Sequence, residues 1–167
     1  VFAASEPAKF DFAGFNVKQD GVVVDLENKV VYGLSTLLTV ETLGDYLEKG
    51  AEVDSMYVCE NYSTEAQREL KKDEYIGTGT YIVLEDEGVE YPFEFVVFGD
   101  VNGDSVCDAL DAFYIAKVVN NVEAAPTDVA TNMAATSPET YENGITVETY
   151  QAVVNNAVME DAEIDQN

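Results

Sequence analysis

Residues 100–111 read Asp100-Val101-Asn102-Gly103-Asp104-Ser105-Val106-Cys107-Asp108-Ala109-Leu110-Asp111, with oxygen-bearing side chains at the first, third, fifth, ninth and twelfth places. Four of these groups are carboxylates. Packed so closely, they repel one another unless a cation draws them together. A hard divalent cation that takes six to eight oxygens is wrapped at this spacing, so the stretch predicts a Ca²⁺ loop. Asp100, Asn102 and Asp104 would offer side-chain oxygens and Val106 its carbonyl. Asp108 would act through a water, and Asp111 would close the sphere with both oxygens. The plainer alternative is a solvated turn rich in Asp and Asn. Ser105 holds the sixth place, where glycine normally makes the sharp turn, and this departure is expected to weaken the ion's hold.

The flanks of the loop differ in kind. Phe93-Glu94-Phe95-Val96-Val97-Phe98 reads as a strand, and residues 109–122 read as a helix with Leu110, Phe113, Ile115, Val118, Val119 and Val122 at apolar positions. Residues 123–140, with Pro126 and Pro138, read as a linker. Residues 147–159 read as a second helix with Tyr150, Val153, Val154, Ala157 and Val158 on one face, and 160–167 as an acidic tail that frays.

Before the loop, β signals dominate. Phe10, Phe12 and Phe15 suggest a strand over 10–17, and Val22-Val23-Val24 with Val30-Val31-Tyr32 suggest a hairpin. Thr39 is a candidate N-cap for a helix carrying Val40, Leu43 and Leu47 and ending at Lys49-Gly50. Strands are expected at 53–59, 81–84 and 89–98, with a short exposed helix or ordered loop over 63–74. The expected fold is α+β. A β-rich domain over 1–98 with one or two short helices is followed by a helical calcium-binding module over 99–167.

Composition narrows the function. Thirty-three acids against eight bases give a net charge of −25. Such a chain is repelled by nucleic acid and by anionic membrane surfaces and attracts cations. It has no histidine, which removes Ser-His-Asp and Cys-His catalysis and most zinc sites. No apolar run is long enough to span a bilayer. The opening Val1-Phe2-Ala3-Ala4-Ser5 is loosely similar to the end of a cleaved signal peptide, so a secreted or cell-surface location is expected. Cys59 and Cys107 are read as buried thiols.

Gly99-Asp100-Val101-Asn102-Gly103-Asp104, entered from a strand and leaving into a helix, closely resembles the opening of a type I dockerin repeat. Val31-Tyr32-Gly33-Leu34, Thr39-Val40-Glu41-Thr42-Leu43 and Gly77-Thr78-Gly79-Thr80 look like the X-module that precedes dockerins in cellulosome-associated and surface proteins of Firmicutes. Asn143-Gly144-Ile145-Thr146-Val147-Glu148-Thr149-Tyr150 resembles a degenerate second repeat. The resemblance implies no catalysis. It implies bound Ca²⁺ and docking to a cohesin-like partner, with recognition at Ala109, Leu110, Ala116 and Lys117. The competing expectation is a carbohydrate-binding or adhesive domain with purely structural calcium. A pair of exposed rings on one face among Tyr46, Tyr57, Tyr62, Tyr75, Tyr81 and Tyr91 would favour it.

Overall fold

The computed structural model describes residues 14–165, with side chains as far as 157. The valine runs form the expected hairpin. Strands β2 (Val23–Asp25) and β3 (Val30–Tyr32) pair antiparallel with Val24 opposite Val31. Asp25 closes the turn, its carboxylate accepting the backbone N–H of Glu27 and of Asn28, each at 3.0 Å. Next to β3 and parallel to it runs β8 (Val89–Phe95). Then come β7 (Tyr81–Asp86), β5 (Ser55–Glu60) and the two-residue β6 (Arg68–Glu69), giving the order β2-β3-β8-β7-β5-β6. A second, two-stranded sheet joins β1 (Phe15–Val17) to β4 (Leu47–Lys49).

Strand alternation sends one set of side chains into the core. Val31, Met56, Val58, Ile82, Leu84, Phe93 and Phe95 face a cluster that includes Phe15, Leu43, Leu47 and Ile76. The short helix α1 (Val40–Leu43) closes one end, held by a reciprocal capping box between Thr39 and Thr42. The helix expected through Leu47 stops after four residues, because Leu47 belongs to β4. The segment expected as a short helix or ordered loop over 63–74 is an ordered turn region that carries β6. Phe10 and Phe12 lie outside the described residues.

The expected fold class needs correction. The protein is mostly β, two sheets with helices laid against them, and the described residues do not show a separate C-terminal helical module. The reason lies in the stretch read as a linker. Residues Val129–Ala135 form helix α3, which buries Ala130, Met133 and Ala134 against Val30 and Val96 on the sheet's outer face. The N–H of Gly99 donates to the Ala134 carbonyl at 2.8 Å, so α3 is also tied to the strand exit. Helices α2 (Ala109–Val119) and α4 (Val147–Asp165) close over Cys107, Ile115, Ala135, Val153 and Ala157, and Ala135 comes from α3. The helices thus share side chains with the sheet through α3. Cys59 and Cys107 are both buried thiols.

Candidate metal centre

The chain leaves β8 through Val96 and Val97, both buried, and turns at Gly99 with φ +83°. A Cβ there would sit 2.3 Å from Cys107 Sγ, so only glycine lets the two ends of the loop approach this closely. The loop then folds around Asp100. One carboxylate oxygen accepts N–H from Gly103 (2.8 Å) and Asp104 (3.0 Å). The other accepts from Ser105 and from Thr78 on the β6–β7 connection, each at 2.9 Å. Asp100 is 0% exposed.

Ser105 occupies the left-handed region at φ 74°, a conformation costly for a side chain with a Cβ. It holds there because the neighbouring chain grips it. The Leu37 N–H is shared between Ser105 Oγ (3.0 Å) and Ser105 O (2.9 Å). Ser105 also anchors the loop to the segment before α1. A glycine there would lose the Oγ contact.

Asp111 is the second fixed point, also 0% exposed. It lies in the first turn of α2, and its Oδ2 accepts the Asp108 N–H at 2.9 Å while Asp108 caps the helix through the Leu110 N–H at 3.0 Å. Its Oδ1 accepts from Val101 (2.8 Å) and Asn102 (3.2 Å). Asn102 and Asp104 point to the surface, each accepting the N–H two residues on, from Asp104 and Val106 respectively, at 3.1 Å.

Burial pushes the Asp100 carboxyl above the usual carboxylate range against the pull of its N–H donors, and the charge of Asp104 adds to the push. Burial likewise pushes Asp111 up to about 6, opposed by three backbone N–H groups and reinforced by the charge of Asp100. Among the described residues no lysine or arginine pairs with either. The ion pairs lie elsewhere, between Lys18 and Glu48 and from Arg68 to Glu60 and Glu74.

The loop residues fit Ca²⁺ in kind and order. Their donors are all hard oxygens, and two carboxylates are withdrawn from water without a counter-charge. They are not gathered in space. Among the described residues no group of three or more acidic, histidine or cysteine side chains stands close enough to hold a metal, because the loop's oxygens are engaged with its own backbone.

The residues expected to meet a partner sit on α2. Ala109 and Leu110 are exposed, and Ala116 and Lys117 are half-buried. Phe113, read as a core position, is 61% exposed beside Leu110 at 64%, and Lys117 Nζ lies 5.0 Å from its ring centroid. The signal for Phe113 was its spacing. Positions 110, 113 and 117 share one helix face, whereas Asp111 and Ile115 share the buried one. In the stretch read as a degenerate second repeat, Thr146 and Thr149 cap the start of α4 reciprocally, with Thr146 N–H on Thr149 Oγ1 at 2.8 Å and Thr149 N–H on Thr146 Oγ1 at 3.2 Å.

No protein-family model, curated protein or solved structure matches the chain.

Proposed function

We propose that residues 100–111 bind one Ca²⁺, and that the chain is a non-catalytic assembly unit of a secreted or cell-surface bacterial protein that docks a cohesin-like partner. The observation that carries this reading is the pair Asp100 and Asp111. They are two carboxylates shut away from water at the first and twelfth places of the loop, with no cation beside them among the described residues. The ion would be held by Asp100, Asn102, Asp104, the Val106 carbonyl, Asp108 and Asp111. Bound there, it supplies the positive charge that this cluster lacks.

The chain's own residues turn that binding into a docking face. Asp111 belongs to α2, so holding its carboxylate also holds the helix start. Asp100 and Ser105 tie the loop back to Thr78 and Leu37. Together these contacts set the angle at which α2 carries Leu110, Phe113 and Lys117, flanked by Ala109 and Ala116. Exposed Leu and Phe side by side suit a partner surface better than solvent. The net charge of −25 favours a partner with a basic rim.

Calorimetric titration of Ca²⁺ into chelator-treated protein tests the reading. The expected result is one ion per chain, lost in Asp104→Ala while the far-ultraviolet circular dichroism is kept. Phe113→Ala should keep the ion and weaken docking to a cohesin. Absence of binding heat, or binding unchanged in Asp104→Ala, overturns the metal assignment. Cohesin docking that is indifferent to chelator overturns the coupling.

A further inference from the structure

The outer face of the six-stranded sheet is covered by α3 over Val30 and Val96. Over β5 and β7 it carries tyrosines instead. Tyr57 on β5 lies opposite Val83 of β7, which lies opposite Pro92 of β8. Its hydroxyl nevertheless donates to Glu90 Oε2 on β8 at 2.8 Å, so the side chains of β5 and β8 meet over the intervening strand. Tyr62, from the turn after β5, donates to the other oxygen of the same carboxylate, Glu90 Oε1, at 3.0 Å. Beneath them Val83 and Cys59 are fully buried, whereas Tyr57, Tyr62 and Tyr81 are half-buried. Each ring therefore packs on the sheet and still meets solvent.

Tyr81 extends the surface. Its ring lies 5.5 Å from that of Tyr62, inclined at 39°, and Glu94 lies opposite it on β8. Gln67 fixes Tyr57 by donating to its hydroxyl at 3.2 Å. The result is a shallow aromatic surface, stiffened by hydrogen bonds and bordered by two carboxylates and an amide. The open angle between rings is unlike the steep walls of a cage for a compact cation. A pyranose has the complementary chemistry. Its axial C–H groups pack on ring faces and its hydroxyls donate to carboxylate oxygens. The charge of the chain repels acidic glycans and leaves neutral ones.

We propose that the face built from Tyr57, Tyr62 and Tyr81, with Glu90 and Glu94 at its edge, binds a neutral polysaccharide chain. None of the residues of this site belongs to loop 100–111.

Amide chemical-shift titration of the full chain with cello-, xylo- and manno-oligosaccharides, at high salt to suppress ionic attraction, tests the proposal. The expected result is saturable shifts confined to β5, β7 and the 61–67 turn with at least one of the three sugars. Tyr62→Ala and Tyr81→Ala should each weaken binding by roughly tenfold or more. Tyr75→Ala, at an exposed tyrosine outside this face, should leave it unchanged, as should chelation of calcium. Glu90→Gln, which removes the charge and one of the two acceptor oxygens while keeping the side chain's shape, provides a second variant expected to bind more weakly. Three results would each overturn the proposal: no shift with any of the three sugars, binding untouched by Tyr62→Ala, or a lysine- and arginine-rich peptide binding this face and released by salt. The last would assign the face to a protein partner.

Discussion

The carboxylate of Glu74 and that of Asp111 are chemically alike, and the chain treats them in opposite ways. Glu74 lies in the part of the chain that holds seven of the eight bases. Arg68 grips it with paired bonds of 2.8 and 2.9 Å, and with the Lys71 N–H this pulls its carboxyl down to about 2. Asp111 lies beyond residue 99, where Lys117 is the one base among thirteen acids. Its hydrogen-bond donors among the described residues are backbone N–H groups, and burial drives its carboxyl up to about 6. Glu74 is answered by a guanidinium of its own chain, whereas among the described residues no base stands beside Asp111.

The sharpest way to break the comparison is to remove the acid that organises the loop. Asp100→Ala orphans four backbone N–H groups, and is expected to cost on the order of 3–5 kcal/mol of stability, read by urea unfolding. A loss under ~1 kcal/mol would mean the loop is a passive turn.

Supplying the missing charge should act nearly as strongly. Ca²⁺ at a hundredfold over its dissociation constant should add about 2.7 kcal/mol if only the folded chain binds it. The thermal midpoint should rise accordingly and fall back with chelator, whereas magnesium at equal concentration should do less, since it resists giving up its waters.

The two carboxylates should also respond oppositely to pH. Asp111 has its folded value raised above the ordinary 3.8, so the calcium-free fold binds more protons than the unfolded chain between about pH 4 and 6. Stability should therefore fall as pH rises through that window. Glu74 has its folded value lowered, so its contribution is present above about pH 4.5 and lost as pH falls toward 2. Calcium-free unfolding at several pH values, repeated for Asp111→Asn and Glu74→Gln, separates the two. The Asp111 slope should disappear in the first variant and survive in the second.

The smallest effect belongs to the surface pair. Arg68→Ala is expected to change stability little, because exposed ion pairs are screened. The Glu74 carboxyl should nonetheless return toward its ordinary titration range, read by side-chain carbon shifts. No movement there would mean the Arg68 contact is not held in solution.

Much of this comparison is written locally in the sequence. The turn over 100–111 was legible because Asp and Asn recur where they accept nearby backbone N–H groups, and Asp108 and Asp111 sit where they cap α2 as well. The β2–β3 hairpin was legible because the valine runs adjoin a tight Asp25 turn. What escaped was non-local. Leu47 fits a helical spacing with Leu43, and only its pairing with Val17, thirty residues back, makes it a strand residue. Helix α3 is built of small and weakly polar residues between prolines, so it reads as a linker until the sheet gives Met133 something to cover. Its one local sign was Asp128, which caps the helix by accepting the Thr131 N–H at 2.9 Å. The six tyrosines considered as an exposed face could not be sorted from spacing. Glu90, which gathers Tyr57 and Tyr62, is 33 and 28 residues from them.

The central claim is that loop 100–111 holds two buried acids in readiness for one cation. An amide chemical-shift titration with Ca²⁺ tests it most directly, because the N–H groups of Gly103, Asp104 and Ser105 bond to Asp100 and that of Asp108 bonds to Asp111. The expected result is saturation at one equivalent, with the largest shifts at these four amides and little change at Ile82 in the sheet. Shifts that never saturate and scatter over the exposed acids, with those four amides unmoved, would contradict it.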